Sequence, residues 1–248
     1  KENSDALSFR SDITLKNVHF RYISSGSEIL TDINIVIKKG TKIGFIGETG
    51  SGKSTLLDII MGLLEPSAGE LLVDGKIINK TNQFAWQKSI AHVPQNIFLS
   101  DSSIEENIAF GTPVEKIDHK RVQWAAQQAQ IHKLIKSWSE QYQTFVGERG
   151  VRLSGGQLQR IGIARALYKR AGIIVFDEAT SSLDMQTEEK MMKTIDGLDK
   201  ELTIMIITHR LTTLKNCDLV IELENGNIKR IVDYNELVGD SIIDSFSE

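Results

Sequence analysis

The sequence predicts an α/β fold with three parts: a mainly parallel core sheet, an antiparallel β-subdomain at the N-terminal end, and an inserted helical subdomain. Three observations carry this. The runs Ile173–Phe176 and Leu202–Ile207 are continuously apolar, as strands buried on both faces are. Near-alternation runs through Ile13, Leu15, Val18, Phe20 and Tyr22, and again through Ile33, Ile35 and Ile37, as in half-buried antiparallel strands. Residues from about 84 to 170 are mostly helical in pattern and rich in Gln.

Taken in order, residues 1–10 are polar and without periodicity, and read as a linker. The two alternating segments follow. Lys42–Ile46 is a short apolar strand that runs into glycines and then a helix from Lys53 to about Met61. Leu71–Ile78 contains Asp74-Gly75, a hairpin signal, and joins the antiparallel part. The helical stretch comes next, then the two buried strands. Asp218–Leu223, Asn225-Gly226 and Ile228–Val232 read as a closing hairpin. The globular domain is bounded at 11–240, with a tail at 241–248.

Composition narrows the function. Of 248 residues, 40% are hydrophobic and 25% charged, which excludes a disordered chain. The net charge of −4 gives no basic footprint for nucleic acid. Cys217 is the single cysteine, which excludes a disulfide framework and a multi-cysteine zinc site, and reads as a buried or half-buried thiol. No apolar run approaches the roughly 20 residues of a membrane helix, and no signal peptide opens the chain. It begins at Lys1, so a fragment of a longer chain is expected.

Gly47-Glu48-Thr49-Gly50-Ser51-Gly52-Lys53-Ser54 fits G-x-x-x-x-G-K-[ST] between a strand and a helix. Glycines let the backbone curl so that successive N–H groups face phosphate oxygens. The following helix adds the positive end of its dipole. Lys53 is placed for the β/γ-phosphates and the Ser54 hydroxyl for Mg²⁺. This is the loop of a P-loop NTPase core; it implies a nucleoside triphosphate and Mg²⁺, not a particular reaction.

The strand Ile173–Phe176 ends in Asp177-Glu178. Ligands bind at the C-terminal ends of parallel strands, and adjacent strand residues face opposite ways. Asp177 suits Mg²⁺, and Glu178 suits orienting or deprotonating water. Taken alone, two solvated acids capping a strand explain the pair equally well. Leu153-Ser154-Gly155-Gly156-Gln157 opens an amphipathic helix through Leu167. It offers small residues, a hydroxyl and a helix N-terminus to an anion. Physics alone favours a plain glycine turn capped by Ser154.

Together these segments resemble the nucleotide-binding domain of ATP-binding cassette (ABC) proteins, over about residues 10 to 240. GETGSGKS resembles Walker A, LSGGQ the signature and IIVFDE Walker B. Ser181-Ser182-Leu183-Asp184 resembles the D-loop, His209 the switch histidine and Gln95 the Q-loop glutamine. Tyr22 sits where the family's adenine-stacking aromatic lies. The resemblance implies ATP and Mg²⁺ bound by Tyr22, by residues 47–55 including Thr55, and by Ser154, Gly155, Gly156, Gln157 and Asp184. It implies Ser54, Gln95 and Asp177 at the metal, and Glu178, His209, Lys53 and Gln95 in catalysis. Two copies would pair head to tail around the nucleotides. As bare residues, Tyr22 could be a core strand residue, His209 a satisfied core histidine and Gln95 a loop amide. His19, His92, His119 and His132 carry no such signal. Trp86, Trp124 and Trp138 read as helical-lobe packing.

Gly147-Glu148-Arg149-Gly150, just before the signature, resembles the X-loop of exporters, and Ser103-Ile104-Glu105-Glu106-Asn107-Ile108, after the Q-loop, also resembles the exporter version of its own segment. The resemblance implies a transmembrane domain fused upstream, with the ATPase tethered at the cytoplasmic face of a membrane. A soluble ABC ATPase of DNA repair or ribosomes, or an importer subunit, are the competing functions. The transported substrate is not legible in this sequence.

Overall fold

The computed structural model describes residues 7–23, 26–147, 153–180 and 183–245, with side chains up to residue 239. The first elements are β1 (Asp12–Phe20), β2 (Leu30–Lys38), β3 (Lys42–Ile46), α1 (Lys53–Ile60), β4 (Ala68–Val73), β5 (Lys76–Ile77), α2 (Gln83–Lys88) and β6 (Ile90–Val93). Next come α3 (Ile104–Ile108), α4 (His119–Gln128), α5 (His132–Ser137) and α6 (Gly155–Tyr168). The chain closes with β7 (Ile173–Asp177), α7 (Met185–Asp196), β8 (Thr203–Ile207), β9 (Leu219–Glu224), β10 (Asn227–Val232) and α8 (Tyr234–Ser245). Strand order is β2-β1-β4-β5 in one sheet and β10-β9-β3-β8-β7-β6 in the other. Contacts divide the chain into two units: residues 1–90, 172–175 and 199–248, and residues 91–171 and 176–198.

In the first unit, β1 pairs antiparallel with both β2 and β4. Its buried residues switch from odd to even, Ile13 and Leu15 before Val18 and Phe20. The switch falls on Asn17, at φ 47, where both pairings shift register. A bulge inserts one residue and restores the apolar side chains to the core face. The Asp74-Gly75 turn has φ 50 and 75, and Asn225-Gly226 has φ 47 and 77. These are the left-handed pairs that two-residue hairpins need. In the other sheet β3 lies between β8 and β9, parallel to both. Every residue of β8 is buried, which is why it shows no alternation. Phe45, Ile59, Ile60, Met205, Ile207, Ile173 and Val175 lie in one apolar core.

Trp86 departs from its expected place in the helical lobe. It is fully buried in the first unit's core and donates Nε1–H to the Ile60 carbonyl at 2.8 Å. The four-residue β6 also lies inside the stretch read as helical.

The second unit is built around α6, whose Ile161, Ile163, Ala164 and Leu167 are buried. Ser103 and Glu106 form a capping box that starts α3, and Asp118 caps α4. Asn107, fully buried, donates to the Ser100 and Ser103 carbonyls and accepts from Arg165 Nη2.

Candidate functional site

The first unit holds the glycine-rich loop from Gly47 to Ser54. β3 ends at Ile46 and the chain turns through Gly47, at φ 139. A Cβ there would lie 2.2 Å from the Leu223 carbonyl oxygen. Gly52, at φ 99, would meet Leu30 Cδ2 at 2.7 Å. Gly47 is therefore required by sterics as well as by backbone angle, whereas at Gly52 the near atom ends a flexible side chain and the left-handed angle carries the requirement. Gly50, at φ 85, faces open space, so its requirement is conformational only.

No side chain caps the N-terminus of α1, where Gly52 is the N-cap. The Gly52 carbonyl accepts the Leu56 N–H, so the helix starts there and its first-turn N–H groups have no carbonyl within the helix to bond. Such an end suits an anion. Lys53 is buried and its Nζ donates to the Gly47 and Glu48 carbonyls, each at 2.7 Å. Glu48, Thr49 and Gly50 are exposed, Ser51 is buried, and Ser54 is exposed on the first helical turn. Thr55 is buried, and its Oγ1 lies 3.1 Å from Tyr22 Oη.

Tyr22 is 64% exposed, which removes the core-strand alternative. Its ring stands edge-on to Phe20 at 4.9 Å, and the hydroxyl contact pins its far end to α1. Arg21, its neighbour, pairs with Glu28 at 2.6 Å, and Glu28 also takes a bond from His19. The His19 bond is the leading cause that holds the Glu28 carboxyl below its ordinary range. His209 follows β8 and is exposed, so it is not a core histidine either. An exposed ring, an uncapped helix end, a lysine and a hydroxyl are the donor set that a nucleoside triphosphate calls for.

The second unit holds the acidic segment and the signature. Asp177 ends β7, and Glu178 follows in the left-handed region at φ 47. That backbone turns Glu178 out of the strand's alternation. Its Oε2 accepts a bond from Gln95 Nε2 at 2.8 Å. Gln95 and Glu178, 83 residues apart, are thus neighbours. Ser154 caps α6: its Oγ accepts the Gln157 N–H, and Gln157 Oε1 accepts the Ser154 N–H. The cap uses an oxygen lone pair and leaves the hydroxyl proton available. Gly155 and Gly156 form the first turn of α6. Asp184 caps α7 by accepting the Thr187 N–H, and bonding to Thr187 lowers its carboxyl pKa.

One contact was not legible in the sequence. Thr180 donates to the buried Glu188 at 2.9 Å, tying the segment after Glu178 to α7. Residues 181–182 of the D-loop and 148–150 of Gly147-Glu148-Arg149-Gly150 lie outside the described residues.

The ABC transporter family model matches residues 30–181, more than half of the chain. This chain belongs to the ABC transporter family. It is 42% identical over 227 residues to the alpha-hemolysin translocation ATP-binding protein HlyB of Escherichia coli O157:H7, covering 92% of this chain and 32% of that protein. It is 39% identical over 234 residues to the beta-(1→2)glucan export ATP-binding/permease protein NdvA of Brucella suis, covering 94% of this chain and 39% of that one. Among solved structures, a bacterial Atm1-family ABC exporter with ATP bound superposes with a TM-score of 0.89 at 33% identity, over 96% of this chain and 42% of that chain. This ABC family member thus spans about a third of the length of these curated relatives. Among its described residues, no helix is long and apolar enough to cross a membrane.

Proposed function

We propose that this chain is the ATP-binding and ATP-hydrolysing domain of an exporter, whose membrane part precedes it through a linker at residues 1–10. The domain itself is residues 11–240, with a tail at 241–248; its helical lobe, read from about 84 to 170, starts only beyond Trp86, which packs in the first unit's core. The names of its relatives support export over a soluble or importer role. Hydrolysis is carried by one observation: Glu178 sits in a left-handed backbone at the end of β7, with Gln95 bonded to its carboxylate. Backbone strain of this kind persists where the surroundings over-determine it, and it clusters at reacting sites.

In this reading Tyr22 stacks on the adenine, worth about 1–3 kcal/mol. The loop N–H groups from Gly47 to Thr55 and Lys53 hold the phosphates. Ser54, Gln95 and Asp177 hold Mg²⁺, which when bound neutralises charge on the β- and γ-phosphates. Glu178 orients the attacking water and takes its proton, while Gln95 fixes the carboxylate. His209 contacts the γ-phosphate. Ser154, Gly155, Gly156, Gln157 and Asp184 face the nucleotide of a second copy, arranged head to tail. The hydroxyl proton that the α6 cap leaves available is then a donor for that phosphate. Closure of the pair and reopening after hydrolysis is a ligand-driven switch at the cytoplasmic face of the membrane.

Two measurements test the shared site. ATPase rate should rise faster than linearly with protein concentration while dimer is scarce. Mixing Lys53→Ala with Ser154→Arg should restore activity, because one site of the mixed dimer carries neither lesion. A strictly linear rate across the range where sedimentation shows dimer forming, with no recovery on mixing, rejects the head-to-tail arrangement.

A further inference from the structure

Within the first unit, the phosphate loop is held from behind by the turn between β9 and β10. β9 runs parallel to β3, with Glu222 opposite Ile46, so Leu223 comes opposite Gly47. The Leu223 carbonyl oxygen is the atom that a Cβ at Gly47 would meet first. The chain then turns at Asn225-Gly226, and the Gly226 N–H donates to the Ser51 carbonyl at 3.3 Å. The loop is thus held at Gly47 and again at Ser51. Its middle, from Glu48 to Gly50, borders a cavity of about 250 Å³ whose far side is Glu224, Asn225 and Lys229. The two holds, not packing along the whole loop, fix its place.

The same turn holds the chain that leads to the exposed ring. The Gly226 carbonyl accepts the Thr31 N–H at 2.9 Å, at the start of β2. Ile29, two residues earlier, donates its N–H to the carbonyl of Phe20, two residues before Tyr22. There is no slack in this backbone. A Cβ at Gly226 would lie 2.4 Å from the Ile29 carbonyl oxygen, and one at Gly52 would lie 3.1 Å from the same atom. Gly226 also sits in the left-handed region, at φ 77. Cross-strand pairs hold the hairpin itself: Arg230 meets Glu222 at 2.6 Å and Lys229 meets Glu224 at 3.1 Å. Ile221 and Leu223 anchor it in the core.

We propose that the Asn225-Gly226 turn is a positioning element that sets the spacing between the Tyr22 ring and the phosphate loop, on which preference for a nucleotide over bare phosphates depends. The N–H of Gly226 reaches the loop and its carbonyl reaches β2, so one residue ties the two halves of the site together. Gly226 touches neither base nor phosphate; it acts through Ser51 and Thr31. With the spacing fixed in advance, base and phosphates engage together, and stacking adds to phosphate binding without a further ordering cost. The proposal rests on the reading that Tyr22 stacks on the adenine and residues 47–55 hold the phosphates.

The test compares ADP with inorganic pyrophosphate, each titrated into the full chain by calorimetry. Pyrophosphate reports the loop alone; ADP reports the loop together with the ring. Gly226→Ala sets a Cβ against the Ile29 carbonyl and should lower the ratio of ADP to pyrophosphate affinity by about fivefold or more, the lower end of what one stacked base contributes. Inserting one glycine after Asn225 gives a three-residue turn, which hairpins accept, and should lower the ratio in the same way should Gly226→Ala not fold. Tyr22→Ala tests the reading beneath: a ratio unchanged there removes the base contact, and the proposal falls with it. A ratio lowered by Tyr22→Ala but not by either turn variant overturns the proposal alone. So does an equal loss for both ligands in the turn variants, because the turn then supports only the loop. In the unaltered protein, ADP should slow hydrogen exchange at the Gly226 and Thr31 amides more than pyrophosphate does; equal exchange overturns the proposal without any substitution.

Discussion

Glu178 joins strain and chemistry at one position, and the two can be pulled apart by comparing Glu178→Gln with Glu178→Asn. Both replace the carboxylate with an amide. They differ in what the backbone asks of them. At φ 47 the residue is left-handed, where Asn is several-fold enriched over longer side chains. A fourfold preference corresponds to RT ln 4, about 0.8 kcal/mol in favour of Asn. One contact works the other way: the longer Gln side chain would keep a bond to Gln95, and the shorter Asn would not reach it. Making both changes in a Gln95→Ala background removes that difference. In that background Asn should be more stable than Gln by about 0.5–1 kcal/mol, or about 2–3 °C in Tm for a domain of this size. Calorimetry and urea denaturation read it. Equal stability, or a more stable Gln variant, would refute the strain argument. Both single variants should lose at least about a hundredfold in ATP turnover while still binding ATP. Near wild-type turnover in Glu178→Gln removes that residue from catalysis whatever its backbone.

The remaining predictions concern charge. Lys53→Ala should weaken ATP binding by about tenfold or more, because a point charge on the phosphates is lost; unchanged affinity by titration calorimetry counts against the loop assignment. His119 is raised above 6.5, first by its hydrogen bond to Glu105. A group raised in the folded state stabilises fully below its unfolded pKa, and loses that contribution as pH rises through the folded value. His119→Gln should therefore lower Tm near pH ~5.5 and leave it unchanged near pH ~9; an equal loss at both would mean packing, not charge, holds α4 there.

The phosphate loop was legible because its shape is dictated by glycines at fixed offsets, and those are visible as letters. The hairpins at Asp74-Gly75 and Asn225-Gly226 were legible for the same reason. The buried strand β8 showed in its unbroken apolar run. Other features depend on partners distant in sequence. β6 has four residues, too few to express a period, and it is a strand only because a sheet receives it. Trp86 reads as lobe packing until its Nε1–H is seen on the Ile60 carbonyl. The Gln95–Glu178 bond spans 83 residues, and the left-handed angle at Glu178 leaves no mark in composition.

Lys53 has a consequence for selectivity. Its ammonium is already satisfied by the carbonyls of Gly47 and Glu48. A ligand that draws Nζ outward must break those bonds before it gains its own, so affinity reflects an exchange and not a sum. The loop therefore sets a threshold. A weak or singly charged anion offers little more than two peptide oxygens do, and leaves the lysine where it is. A chain of phosphates concentrates enough charge to win the exchange. The same two carbonyls that hold the loop in shape thus also grade what is allowed to open it.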